Sequence, residues 1–150
     1  MRLAFRIKHH FFNAFRELFV HHHGSLEFRA KLFTLMIASN EAIKVENYIL
    51  VKNIALEIYK DDEDRANLLL LSTKELVNKI KEKKGIHLDG LIFDIQKELK
   101  IVPRYAKKID TEALEKFLDL ADSEDTQIYQ RNILEFLENL KKETLKIQKD

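Results

Sequence analysis

Chain-breaking residues are so scarce here that they decide the fold class before any pattern is read. Three glycines and one proline in 150 residues leave too little turn chemistry for a β-sandwich or an α/β sheet. What remains is a chain of amphipathic rods joined by short polar corners. Hydrophobic residues at 45% and charged residues at 34% fit a folded helical protein and argue against disorder. The length suits one domain over 1–150 with a core of its own. The expected fold is therefore all-α, a compact multi-helix bundle of about seven helices.

Apolar residues recurring at the helical period mark the rods. A first helix is expected over 3–22, on Phe11, Phe12, Phe15, Leu18 and Phe19, with Gly24 just past its end. Ser25 would cap a second, 26–39, apolar on most sides and so placed near the centre. A third is expected at 44–60, with Val51, Ala55, Ile58 and Tyr59 inward. Asp61, Asp62, Glu63 and Asp64 place carboxylates where a fourth begins (63–84), with a break expected at Ser72. Asp89 would cap a fifth, 90–101, which Pro103 ends. Asp110 would cap a sixth, 111–121. Ser123 or Asp122 would cap a last, 124–147, whose inward stripe runs through Tyr129, Ile133, Phe136, Leu137, Leu140 and Ile147. Two corners share a plan of helix, polar residues, helix: Ala38-Ser39-Asn40-Glu41 and Ala121-Asp122-Ser123-Glu124.

The familiar catalytic patterns are missing. Isolated glycines make no phosphate-cradling loop. With no cysteine there is no thiol nucleophile, disulfide or thiolate metal site, which fits a reducing compartment. No H-E-x-x-H, Glu-x-x-His or EF-hand loop occurs. A net charge of +1 gives no global pull towards nucleic acid. No apolar run is long enough to span a membrane, and no signal peptide is read at the start. The expectation is a non-enzymatic, cytoplasmic, bacterial-type protein with no cofactor and no small-molecule substrate. Nucleic acid is not expected as a partner; another protein or a second copy of the chain is.

Three regions are candidate sites. Phe11, Phe12, Phe15 and Phe19 form an apolar stripe whose burial, at ~1.5–3 kcal/mol each, would suffice for a specific contact. Arg2, Arg6, Lys8 and Arg16 flank it against the single acid Glu17. A basic aromatic helix of that kind could instead lie on an anionic membrane surface. His21, His22 and His23 diverge by about 100° per residue and do not converge on one ion. Glu17 and His21, one turn apart, are the only pair there placed to share a metal, and zinc ordinarily takes three or four ligands. Asn40, Glu41 and Glu46 form an acidic corner that could offer oxygens to a divalent cation, although a helix N-terminus explains it without one. Finally, Lys97–Lys108 holds five cations, one acid and a tyrosine, a stretch that could meet phosphate or simply be solvated.

Around Ala38-Ser39-Asn40-Glu41-Ala42-Ile43-Lys44-Val45-Glu46 the chain resembles the motif of TerB-like domains, all-helical modules of the tellurite-resistance type. Asn40 and Glu41 stand where that motif has Asp and Gly, while Ile43 and Glu46 match it. With the acidic break at Asp61–Asp64, the resemblance covers about residues 26–84. It implies a helical stress-response or scaffold module, with the family's divalent-metal site altered at two of its positions.

Overall fold

The computed structural model describes residues 24–82 and 87–149, with side chains to residue 147. Among them are six α-helices, two 3₁₀ segments and no strand. The fold is an all-α bundle, as the dearth of glycine and proline implies. The helix expected over 3–22, the Phe11, Phe12, Phe15 and Phe19 stripe, the cations Arg2, Arg6, Lys8 and Arg16, and the Glu17–His21 pair lie outside the described residues.

Helix α1 (Gly24–Ala38) is the hub. Ten of its fifteen residues are buried, because its apolar side chains face every direction and no stripe is left for water. It packs against α3 (Glu63–Lys81), α4 (Leu88–Ile101), the 3₁₀ segment Pro103–Lys108 and α6 (Glu124–Lys149). Phe28, Leu35, Met36 and Ile37 are wholly enclosed, beside Leu69 and Val77 of α3, Ile95 of α4 and Leu137 of α6. Helix α2 (Val45–Ile58) lies against α3 through Val51, Ile54 and Ala55. Among the polar residues on the hub is Lys31, whose Nζ donates to Glu98 Oε1 at 3.0 Å and ties α1 to α4.

Local chemistry accounts for most boundaries. Asp62 caps α3 by accepting from the Arg65 amide at 3.2 Å, and Asp110 caps α5 (Thr111–Glu115) through the Ala113 amide at 3.1 Å. Ser123 rather than Asp122 caps α6, its Oγ accepting from the Thr126 amide at 3.1 Å. Pro103 stops α4 two residues earlier and opens the 3₁₀ turn.

Four expectations need correction. Helix α3 does not break at Ser72; the neighbouring Thr73 hydroxyl bonds back to the Leu69 carbonyl at 2.7 Å and the helix runs on. Asp89 lies in the first turn of α4, whose cap position is His87. The helix expected over 111–121 tightens into a 3₁₀ segment at Lys116–Leu120. Gly24 is a helical residue of α1 and not the left-handed stop expected of it, and its reason is close approach: a Cβ there would collide with the Tyr105 hydroxyl. The turn between α2 and α3 carries the bundle's backbone strain, with Lys60 at φ 51° and Asp61 at φ 67°, where side chains are disfavoured.

Candidate interaction groove

The two corners that share a plan in the sequence clasp each other in space. Asn40 is completely buried. Its side-chain amide donates to the Ile37 carbonyl at 3.0 Å, and its Oδ1 accepts from the Asp122 amide at 2.9 Å. Asp122 replies with one carboxylate oxygen, which accepts from the Glu41 and Ala42 amides at 2.8 and 3.0 Å. The Thr126 hydroxyl, then those amides, hold the Asp122 carboxyl below the usual carboxylate range. Lys81 Nζ donates to the Asn40 carbonyl. Gln130, also completely buried, donates to the Met36 carbonyl at 2.8 Å.

This clasp is what becomes of the candidate metal corner. Asn40 turns inward with both of its side-chain groups engaged, while Glu41 and Glu46 face solvent. No group of three His, Cys, Asp or Glu residues converges on a metal-sized site among the described residues. The residue that Asn40 meets is Asp122, some eighty positions along the chain.

A different surface stays open. Helix α4 and the C-terminal half of α6 border a groove of about 630 Å³. Phe93, Leu99, Pro103, Leu140 and Ile147 supply its apolar lining, with Lys97, Lys100 and Glu143 also on it. Phe93 is 63% exposed and Ile147 75% exposed. Helical geometry explains Phe93. Leu91, Ile95 and Leu99 take the inward face of α4, and a residue two positions from either of the first two points well away from that face. Ile147 is a correction: the inward stripe of α6 holds through Ile133 and Leu137, with Phe136 and Leu140 half-buried against the core and Leu134 joining it, but Tyr129 and Ile147 at its two ends are exposed. Neither the groove nor Phe93 was singled out in the sequence. The signal was there, an aromatic out of phase with its own helix.

Next along the chain is the basic turn. Tyr105 stacks on Phe28 with ring centroids 5.4 Å apart and sets its hydroxyl against Gly24. Ala106 and Ile109 are buried on the core side, which leaves Arg104 and Lys107 exposed and Lys108 half-buried. Burial, then the nearby Arg29, Arg104 and Lys107, push the Lys108 ammonium below its ordinary lysine pKa.

No family model, curated protein or solved structure matches this chain. Among the described residues no helix is long and apolar enough to cross a membrane.

Proposed function

We propose that the chain is a non-enzymatic, cytoplasmic interaction module whose groove between α4 and α6 receives an acidic amphipathic helix of a partner protein. The observation that carries this reading is the exposure of Phe93 and Ile147 across one apolar groove. Val45, Ile49, Ile101, Ile128 and Tyr129 are also exposed, but Phe93 and Ile147 share the lining of one apolar groove, which favours a covering partner there. Each of the two is worth ~1.5–3 kcal/mol on burial, in the range that anchors a helix-in-groove contact.

Charge selects the occupant. Lys97 and Lys100 outnumber Glu143 along the groove lining. A helix bearing carboxylates beside its apolar stripe complements that rim. The chain's own N-terminal stretch, with Arg2, Arg6, Lys8 and Arg16 against Glu17, carries the wrong sign. That Phe-rich stretch remains the expected surface for self-association. Light scattering of a Phe15→Ser, Phe19→Ser variant reads it separately. A scaffold role also agrees with what the TerB-type resemblance implies.

The groove reading is tested by NMR titration of the full chain with a peptide of about 16 residues bearing leucines at i, i+3, i+4 and i+7 flanked by glutamates. Shifts confined to Phe93, Lys97, Leu140 and Ile147, and weakened when lysines replace the glutamates, are expected. Shifts scattered over the molecule, or equal for both peptides, would refute the proposal.

A further inference from the structure

The depression beside the basic turn is chemically one-sided. Gly24, Ser25, Arg104, Tyr105, Lys107 and Lys108 line a space of about 340 Å³. Three of these residues are cationic, two carry hydroxyls and none is acidic. Arg104, Lys107 and Lys108 form no ion pair with a described carboxylate. Arg29 adds a fourth positive charge within reach of Lys108. A lone surface lysine would relieve such repulsion by swinging into water. Here the backbone that carries the cations is fixed. Tyr105 is stacked on Phe28, Ala106 and Ile109 are enclosed, and Lys141 Nζ grips the Ile109 carbonyl at 2.8 Å. The Arg104 guanidinium lies 5.5 Å from the centre of the Tyr105 ring, so its carrier is held too. Converging cations on a rigid turn are arranged in advance for an anion, and binding then loses little ordering entropy.

We propose that this depression binds a phosphomonoester group, with Arg104, Lys107 and Lys108 meeting the phosphoryl oxygens and Ser25 and Tyr105 donating hydroxyls beside them. The monoester is favoured over other anions by charge and by donor number. Its roughly −1.5 to −2 charge at neutral pH and three terminal oxygens match three cations and two hydroxyls. A carboxylate or a phosphodiester carries one charge and would leave part of the repulsion in place. The space exceeds a bare phosphate and admits a small polar body attached to it. Arginine and lysine together suit this ligand, the first by its fork and the second as a point charge. The groove is a separate surface with an apolar lining, and this proposal stands without it.

The same group could arrive on a free metabolite or on a lipid head, so the experiment has two arms on the full chain. In the first, glycerol 3-phosphate is titrated and followed by NMR, with sodium sulfate at matched ionic strength as reference. In the second, vesicles of phosphatidylcholine with phosphatidic acid are compared in co-sedimentation with vesicles of equal charge made with phosphatidylglycerol, a diester. Binding in the first arm, or preference for phosphatidic acid in the second, is the expected result, and which arm responds names the source. A Lys107→Gln, Lys108→Gln variant should lose roughly tenfold or more in affinity, whereas Lys142→Gln, Lys146→Gln, with the same change in net charge, should stay within about twofold. Replacing Lys107 and Lys108 by arginine should retain binding. Arg104→Gln provides an independent loss at an exposed side chain. Equal losses in the two double-glutamine variants would reduce the effect to diffuse charge and overturn the site. So would equal binding to both vesicle types with no response to glycerol 3-phosphate.

Discussion

Where α1 ends and α6 begins, a buried asparagine, a carboxylate and three backbone amides bind one another across two corners of the chain. Along the turn after α4, cations face cations and apolar side chains of α4 and α6 face water. Both regions are short polar interruptions between helices, and both rest on the same hub, α1. In the first, polar groups are consumed in holding distant helices together. In the second, the fold holds the backbone and leaves Arg104, Lys107 and Lys108 without a described carboxylate partner. Groups of the first kind should register in stability, and groups of the second kind in binding.

Variants can break or sharpen that division. The largest effect is expected at Asn40, which is fully buried and uses both ends of its side chain. Asn40→Ala should destabilise the protein by about 2–3 kcal/mol, since it removes two bonds of a buried side chain and leaves the Asp122 amide without its acceptor. Urea unfolding measures this. A loss under about 0.5 kcal/mol, the usual surface value, would remove the clasp from the account.

Gly24 comes next and tests how firmly the basic turn is held. Alanine should gain about 1 kcal/mol over glycine in a helix, but the Tyr105 hydroxyl occupies the space of its Cβ. Gly24→Ala is therefore expected to be neutral or destabilising in the natural protein and stabilising by up to about 1 kcal/mol in a Tyr105→Phe background. The ring carbon bearing the hydroxyl lies 3.6 Å from the Cβ position, an ordinary contact. A double-mutant cycle in thermal unfolding reads the change of sign.

Lys60 offers a comparable gain elsewhere. At φ 51° its side chain is strained, and Lys60→Gly should raise stability by roughly 0.5–1 kcal/mol. An unchanged or lowered midpoint would show that the Lys60 side chain contributes more than its backbone costs.

The smallest expected signal is the pH response of Asp122. Its carboxyl is held below the usual range by Thr126 and by the Ala42 and Glu41 amides. A depressed folded value stabilises the protein in full above the ordinary carboxylate pKa. That contribution is lost as pH falls from there through the folded value. Asp122→Asn should flatten the acid limb of stability against pH, measured by urea midpoints, and leave the limb above neutrality unchanged.

Much of the architecture could be read from local sequence because helix capping and helical periodicity are local effects. Asp62, Asp110, Ser123 and Pro103 act within three or four residues of themselves, and each sits at the boundary its chemistry implies. The all-round apolar character of residues 26–38 likewise placed α1 at the centre. What could not be read depends on contacts between distant positions. Gly24 has the same local signature as a helix stop, and only the arrival of Tyr105 shows its use. Asn40 and Asp122 are each ordinary corner residues until the fold brings them together. Ile147 continues the period of α6 to a point where the described residues leave it exposed. Phe93 was legible as an aromatic out of phase, but the groove it borders needs a second helix.

The most direct test of the division is a single preparation of the Phe93→Ser, Ile147→Ser variant. Its unfolding free energy and its affinity for the glutamate-flanked amphipathic peptide are measured together by urea titration and calorimetry. The account expects stability within about 0.5 kcal/mol of the natural protein and affinity reduced by at least roughly tenfold. A variant that unfolds like a core mutant, or one that binds the peptide as well as the natural protein does, would contradict it.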